Sequence, residues 1–338
     1  MYFVARGVSH FAMMVARTAQ SRWGRKERPP LPRDITAVKT FMPANSFSPA
    51  ETSIEFSGVT YSVNGTPYRA RSHSGLARER SEKTLVADIT LAIGAAETVV
   101  LLGRSGSGKT TLLRLINRML EPTAGKVLVQ GRATTDWNPF ELRRGIGYVI
   151  QEAGLFPHFT VAENIALVPT LEKWDGRRIA TRVAELLELV GLGGEEFASR
   201  YPRQLSGGQR QRVGVARALA ADPQILLMDE PFGALDPVTR AELQREFGAL
   251  AKRLGKTIVF VTHDLREALL LASRIVLLQG GKMVASETPQ NFLQLGHPEV
   301  RAFAASLGGE FTVKENGAAG MGGTREGAAG HAGGAENA

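Results

Sequence analysis

The 338-residue chain contains no cysteine. Disulfides, thiolate metal sites and a cysteine nucleophile are therefore excluded, and the absence is in keeping with a reducing compartment. Also missing is any apolar run near the ~20 residues that a membrane-spanning helix needs. The most apolar stretch, Leu85 to Leu102, is interrupted by Asp88, Gly94 and Glu97 and reads as two strands. Were such a protein to work at a membrane, partners would have to cross the bilayer for it. Acidic residues are scarce at one end: residues 1–40 hold eight Lys/Arg against two Asp/Glu. That segment carries most of the net charge of +8 and leaves the rest nearly balanced. A basic terminal arm is weak evidence for a nucleic-acid-binding domain. What the chain does have is apolar matter, 43% of its residues, enough for one large core or two small ones.

Residues 1–52 read as a disordered basic arm. Pro29, Pro30, Pro32, Pro43 and Pro49 discourage regular structure there. The patch Phe11–Ala16 is short and its basic residues, Arg17, Arg22, Arg25 and Lys26, follow rather than precede it, unlike a secretory signal. An alternative start at Met42 and a membrane-surface helix are the other readings of this arm. Ile54 to Val63 alternates and meets Asn64-Gly65, a hairpin pattern. Residues 69–83 are polar and basic, as a loop would be.

Strands are expected over Leu85–Ile93, Thr98–Leu102, Ile146–Ile150, Ile225–Met228 and Thr257–Val261. Helices are expected over Thr110–Met119, through much of Glu163–Leu192, from Gly207 to Leu219, and over Pro237–Leu254. Val183, Leu186, Leu187 and Val190 form one apolar stripe. Strands alternating with helices imply an α/β fold with a parallel sheet. From Gly317 onward 15 of 22 residues are Gly or Ala, so residues 317–338 read as a disordered tail.

Three segments carry chemistry. Gly103-Arg104-Ser105-Gly106-Ser107-Gly108-Lys109-Thr110 fits G-x-x-x-x-G-K-[ST] between a strand and a helix. Gly106 and Gly108 let backbone amides approach phosphate, the helix start adds partial positive charge, Lys109 reaches β/γ oxygens, and the Thr110 hydroxyl is a Mg²⁺ ligand. Asp229 and Glu230 end an apolar strand, where one acid can hold Mg²⁺ and the next polarise water. Leu205-Ser206-Gly207-Gly208-Gln209 precedes a helix with Ser206 placed as its N-cap. The basic residues after it, Arg210, Arg212 and Arg217, read as a solvated face and are not assigned to the site.

In this order, followed by Ala234-Leu235-Asp236 and Thr262-His263-Asp264, these segments make the chain resemble the ATP-binding subunit of an ABC transporter over roughly residues 53 to 290. The resemblance implies a P-loop NTPase (RecA-like) core with an inserted helical subdomain at about 152–218 and a small N-terminal antiparallel β element, the domain running over 53–316. It implies ATP and Mg²⁺ as ligands. Gly103 to Thr111 (Gly103, Arg104, Ser105, Gly106, Ser107, Gly108, Lys109, Thr110 and Thr111) would bind the nucleotide. Thr110, Asp229 and Gln151 would hold the metal. Glu230 would be the catalytic base, His263 the γ-phosphate histidine, and Gln151 the link to the helical subdomain. Ser206, Gly207, Gly208, Gln209 and Asp236 would serve the ATP of a second copy, which requires a two-fold dimer. The adenine-stacking aromatic of the family falls at Val63, with Tyr61 and Tyr68 as substitutes.

Residues 145–169, Arg200-Tyr-Pro, Met228 to Pro237 and Phe260 to Asp264 are more specifically similar to importers of quaternary amines: glycine betaine, choline and carnitine. Leu155-Phe156-Pro157-His158 sits where such subunits meet their permease. The resemblance implies permease partners, indirectly a solute-binding protein, no nucleic acid, and a place at the cytoplasmic face of the cell membrane. An importer of another small solute is the first alternative. A non-transport ABC ATPase acting on DNA or ribosomes is the second, and such proteins usually carry two cassettes. Only 49 residues follow Pro289, many Gly or Ala, leaving no room for an appended regulatory domain.

Overall fold

The computed structural model describes residues 52–64, 82–305 and 307. The expected basic arm (apart from Thr52), Gly65, Tyr68, most of the 69–83 loop and the Gly/Ala tail lie outside the described residues.

Strand β1 (Thr52–Asn64) pairs antiparallel with β2 (Glu82–Gly94), from Asn64 opposite Glu82 to Thr52 opposite Gly94. The antiparallel element is therefore present, but its second strand opens at residue 82 and takes Glu82 and Lys83 from the expected loop. β3 (Thr98–Leu102) leads into helix α1 (Lys109–Ile116). The helix is shorter than its apolar pattern, which continues to Met119, because Arg118 adopts a left-handed φ of 51° that ends the i to i−4 ladder. Met119 is accordingly exposed. β4 (Ala124–Val129) and β5 (Arg132–Ala133) complete a four-stranded sheet in the order β2-β1-β4-β5.

Short helix α2 (Pro139–Arg144) precedes β6 (Ile146–Val149). Between β6 and the next strand run α3 (Val161–Leu171), α4 (Gly176–Leu189), α5 (Glu195–Ala198) and α6 (Gly207–Ala218). Each longer helix here starts on a side-chain cap: Thr160 with Glu163 for α3, Asp175 for α4, Ser206 with Gln209 for α6. Such caps satisfy amide groups that have no partner within the helix, and each is worth about 1 kcal/mol. β7 (Ile225–Asp229), α7 (Pro237–Leu254), β8 (Thr257–Thr262), α8 (Leu265–Leu271), β9 (Arg274–Gln279) and β10 (Lys282–Glu287) follow, then α9 (Pro289–Phe292) and α10 (Pro298–Ala305). α7 opens on the Asp236 cap with Pro237 in its first turn and closes on Gly255 at φ 58°.

The second sheet has the order β10-β9-β3-β8-β7-β6; all neighbours are parallel except β10 with β9. The phosphate-loop strand β3 lies in the middle of it. Its apolar run has a two-sided use. Val99 and Leu101 face one cluster, shared with α1 and the four-stranded sheet through Leu112, Leu113, Phe56 and Val127. Val100 and Leu102 face another, shared with Ile165, Leu186, Val213 and Phe260. A strand buried on both faces must be apolar throughout, whereas the alternation in β1 reflects one buried face. Burying one such side chain contributes about 1.5–3 kcal/mol. This is the α/β P-loop NTPase architecture that the sequence leads one to expect. The carboxyl ends of β3, β7 and β8 share one edge of the sheet, and the site is built there.

Candidate functional site

β3 runs out at Leu102 and the chain turns through Gly103–Gly108 into α1. Gly106 has φ 78°, and a Cβ on it would meet nothing within 4 Å, so this part of the loop faces open space. Gly108 has φ 101°, and a Cβ there would stand 2.9 Å from the Leu85 carbonyl oxygen. Only glycine allows the loop to turn this close to β2. Lys109 is 5% exposed. Its Nζ donates to the carbonyls of Gly103 (2.7 Å) and Arg104 (2.9 Å), so the ammonium lies folded along its own loop. Burial lowers its pKa, against the opposing pull of Glu230 and Asp229. Among the described residues the buried Ser107 hydroxyl has no hydrogen-bond partner, and it packs under Gly103. Thr111 is half-buried beside Thr110.

The Thr110 hydroxyl donates to Asp229 Oδ1 at 2.9 Å. Burial raises the Asp229 pKa; the Thr110 bond opposes the rise and the Glu230 charge adds to it. Next along the chain, Glu230 has φ 45°, a left-handed backbone that costs a non-glycine residue about 1–3 kcal/mol. The turn is held because the Glu230 amide donates to Val261 O and its carbonyl accepts from the Gly233 amide, both at 3.1 Å. His263, just past β8, places Nδ1 3.3 Å from Glu230 Oε2. Its turn is fixed from behind: the Thr262 hydroxyl accepts from the Asp264 amide and donates to buried Glu267, which also accepts from Gln244 of α7.

Arg104, Ser105, Glu230 and His263 line one cavity of about 560 Å³, with Ala302 and Phe303 of α10 as its far wall. The phosphate loop, Asp229, Glu230 and His263 are thus brought together. Gln151 follows β6 and is exposed; its Nε2 would lie 3.7 Å from a Cβ on Gly233, one turn from Glu230. Ser206–Gln209 are not lining residues of that cavity. They start α6 instead, where Cβ atoms on Gly207 and Gly208 would meet Leu235 (3.4 Å) and Thr239 (2.7 Å). Asp236 caps α7 through the Thr239 amide, which holds its carboxyl below the ordinary aspartate range. Within one chain, the 206–209 and 235–239 segments therefore form a second group.

For an adenine-stacking aromatic, Tyr61 is half-buried against the cluster between the sheets, opposite Val86, and Val63 pairs with Lys83. The basic run after Gln209 is not a plain solvated face. Arg210 donates to Leu205 O, Arg212 to Val190 O and Glu246, and Arg217 to the Ala153 and Gly154 carbonyls. Burial lowers the Arg217 pKa. These guanidiniums tie loop carbonyls to α6, a use that spacing on the helix alone does not announce.

Sequence reasoning missed four site neighbours. Burial raises the pKa of Tyr148 of β6, with the Asp229 charge adding to the rise and the Arg114 charge opposing it. Arg114 follows Thr110 by one helical turn, a spacing visible in the sequence had its partner been known. Glu299 pairs with Arg104 of the phosphate loop, and Phe303 walls the cavity. α10 has no pattern that would have placed it there.

The oxygen donors that meet at Asp229 and Thr110 are of the hard type that suits Mg²⁺ rather than a soft metal. The open loop at Gly106 and the buried Lys109 ammonium suit a phosphate chain.

Residues 86–233 match the family described as ABC transporter. The choline transport ATP-binding protein OpuBA of Bacillus subtilis (strain 168) is 54% identical over 212 residues, 63% of this chain and 55% of that protein. The glycine betaine uptake system ATP-binding protein YehX of Escherichia coli (strain K12) is 53% identical over 208 residues, 62% of this chain and 67% of that protein. The chain spans about half the length of the first curated relatives that it matches. Among solved structures, the dimeric post-hydrolysis state of the ATP-binding cassette MJ0796 bound to ADP and Pi matches with a TM-score of 0.60 and 34% identity, over 70% of this chain and 98% of that one. The strand-to-loop-to-helix geometry at 98–116, the acid pair at the end of β7 and these likenesses agree, and the chain belongs to the ABC transporter family as an ATP-binding cassette.

Proposed function

We propose that this chain is the ATP-hydrolysing subunit of an ABC importer for quaternary-amine osmoprotectants such as glycine betaine or choline. The observation that carries the ATPase part is the cavity that Arg104 and Ser105 of the phosphate loop line together with the Glu230–His263 pair, with Asp229, bonded to Thr110, next to Glu230 in the chain. The solute class rests on the names of the relatives that are more than half identical to it.

Lys109 leaves the Gly103 and Arg104 carbonyls to meet the β/γ-phosphate, and the amides of 103–111 line the chain of phosphates. Thr110, Asp229 and Gln151 would hold Mg²⁺, which when bound offsets phosphate charge. Glu230 accepts a proton from the attacking water, and His263 orients the γ-phosphate against it. The chain supplies position and electrostatics, not a covalent intermediate. Ser206–Gln209 and Asp236 lie apart from the cavity, so they act on the ATP of a second copy in a two-fold dimer. The helical segment at about 152–218 acts as a subdomain, and Leu155–His158 meets the permease. Among the described residues no helix is long and apolar enough to cross a membrane; the subunit is held at the cytoplasmic face through its permease.

The test is reconstitution with the permease and solute-binding protein in proteoliposomes. Glycine betaine- or choline-loaded binding protein should stimulate ATP hydrolysis and drive uptake of the same solute. Stimulation by an amino acid or sulfonate alone would move the assignment to another importer class. Tight binding of duplex DNA or ribosomes with no response to the permease would end the transport reading.

A further inference from the structure

Glu230 and His263 stand just past the ends of neighbouring strands. β7 and β8 run parallel with Asp229 opposite Val261, and the Glu230 amide still donates to Val261 O at 3.1 Å. Beyond that bond the ladder no longer sets how far apart the two turns lie. Packing does not hold the His263 ring: its side chain is 62% exposed, and Glu230 Oε2 at 3.3 Å is its one charged partner among the described residues. The supports of both turns meet on α7. Arg240 and Gln244 are four residues apart, so they stand one above the other on one face of that helix.

Arg240 holds the turn after Glu230. Its Nε donates to Phe232 O at 3.2 Å, and its Nη2 donates to Gly233 O at 3.3 Å and to Leu235 O at 2.9 Å. The Gly233 amide donates in turn to Glu230 O at 3.1 Å. A guanidinium carries several donors in a rigid fork, so one side chain can clasp three carbonyls. Gln244 holds the turn around His263. Its Nε2 donates to Glu267 Oε1 at 2.8 Å, and the other oxygen of that buried carboxylate accepts from the Thr262 hydroxyl. The Thr262 oxygen accepts from the Asp264 amide at 3.0 Å. Both chain neighbours of His263 are thereby tied to α7 through Glu267. A single helix carries the supports of two turns that lie far apart in sequence and beyond the reach of the sheet ladder.

We propose that Arg240 and Gln244 are positioning residues, and that α7 through them sets the separation of the Glu230 carboxylate and the His263 imidazole. The proposal rests on the proposed roles of Glu230 and His263 in ATP hydrolysis. Neither Arg240 nor Gln244 lines the cavity that those two side chains share. Each acts through a turn, so its loss moves a reacting group without removing one. A misplacement of about 1 Å caused far from the chemistry can cost about 10²-fold in rate. A purely structural support would cost stability instead, and would act alike whether or not His263 is present.

The decisive variant is Gln244→Met, which removes the amide and keeps the volume of the side chain. Full-length protein would be compared with Gln244→Met, Arg240→Lys, His263→Ala and the double variant Gln244→Met/His263→Ala. Hydrolysis of radiolabelled ATP gives kcat and KM, equilibrium dialysis gives ATP affinity, and melting temperature is recorded for each. Gln244→Met should lower kcat about tenfold with KM and ATP affinity unchanged. In the His263→Ala background the same substitution should change kcat by less than about twofold, because the group it positions is gone. Arg240→Lys should also lower kcat about tenfold, since one ammonium cannot serve three carbonyls. Should Gln244→Met prove too unstable to purify, Thr262→Val removes the same link at its other end and should lower kcat likewise, while Thr262→Ser keeps the hydroxyl and should keep most of the rate. An equal loss from Gln244→Met with and without His263 would show a structural role and overturn the proposal, as would an unchanged kcat in Gln244→Met or in Arg240→Lys. If His263→Ala itself leaves kcat as it was, the proposed role of His263 is wrong and this inference goes with it.

Discussion

The Thr110 hydroxyl and the Asp229 carboxylate are 119 residues apart in sequence and 2.9 Å apart in space. The bond joins the first turn of α1 to the end of β7, two elements that the parallel sheet alone would only set side by side. It also places both oxygens where one hard cation could use them. Thr110→Ala should therefore lower the apparent Mg²⁺ affinity of ATP hydrolysis about 10–100-fold, and Thr110→Ser should restore most of it. The check is hydrolysis rate against Mg²⁺ at saturating ATP. Equal Mg²⁺ curves for the alanine and serine variants would mean that the hydroxyl is not used.

Glu230 sits in a left-handed backbone conformation and lies 3.3 Å from His263. Strain of this kind persists where the surroundings over-determine it, and it collects at functional turns. Glu230→Gln keeps the shape and removes the proposed base. Turnover should fall by about 10²–10⁴ with ATP binding preserved, and an ATP-bound dimer should appear by size exclusion. Near-normal turnover would remove Glu230 from the catalytic step.

Much of this was legible beforehand, and the reasons are physical. β3 and β8 are apolar on both faces and α7 carries a cap, a first-turn proline and a glycine stop, so local signals fixed their positions within a residue or so. The phosphate loop and the acid pair are contiguous in sequence and could be read as units. What could not be read depends on contacts between distant segments. The partner of β1 begins only at Glu82, and an Asn-Gly step says nothing about which later strand will pair. α1 stops early on the backbone of Arg118, while the apolar spacing carries on to Met119. Tyr148 looks like one more strand residue until β6 is laid beside β7. Arg104 looks like a free loop cation until α10 brings Glu299 to it.

Gly208 illustrates a packing demand hidden in a segment that reads as purely functional. A Cβ on it would stand 2.7 Å from Thr239 Cγ2, at the start of α7. Gly208→Ala should cost about 1–3 kcal/mol of stability through this overlap. Thr239→Ser removes the offending methyl, so the double variant should regain most of the loss. Thermal unfolding of the four proteins in the cycle decides it. Additive losses would show that the two groups do not meet in solution.

Glu267 offers a test by pH. It is 5% exposed and accepts hydrogen bonds from Thr262 and Gln244, and burial raises its carboxyl above the ordinary glutamate value of 4.5. A raised folded-state value means that the folded protein holds this proton more tightly than the unfolded chain does. The resulting contribution is complete below 4.5 and is lost as pH rises through the folded-state value. Glu267→Gln has no such proton. The stability of the unmodified protein relative to Glu267→Gln should therefore fall as pH is raised from about 4.5 toward neutrality, read as the difference of the two melting temperatures. A flat difference, or one that rises with pH, would contradict the direction of the shift.

Phe156 is the side chain on which recruitment to a permease is best tested. It is 41% exposed, yet its backbone is fixed: its amide donates to Asn164 Oδ1 at 2.8 Å, and its carbonyl accepts from Asn164 Nδ2 at 3.2 Å. His158 and Phe159 flank the ring, with centroids 6.0 and 5.4 Å away. An apolar ring held out on a rigid turn loses little entropy on docking, which is how aromatic anchors dominate interfaces. Phe156→Asp should cost the intact protein no more than about 0.5 kcal/mol of stability, because the position is on the surface. It should weaken association with the permease by at least about 2 kcal/mol, roughly thirtyfold, by placing a charge in an apolar contact. Co-expression with the permease followed by membrane fractionation measures the second effect, and thermal unfolding with ATP binding measures the first. Phe156→Leu should keep most of the recruitment. If the aspartate variant reaches the membrane as fully as the unmodified protein while the permease is present, the 155–158 segment is not where the two subunits meet.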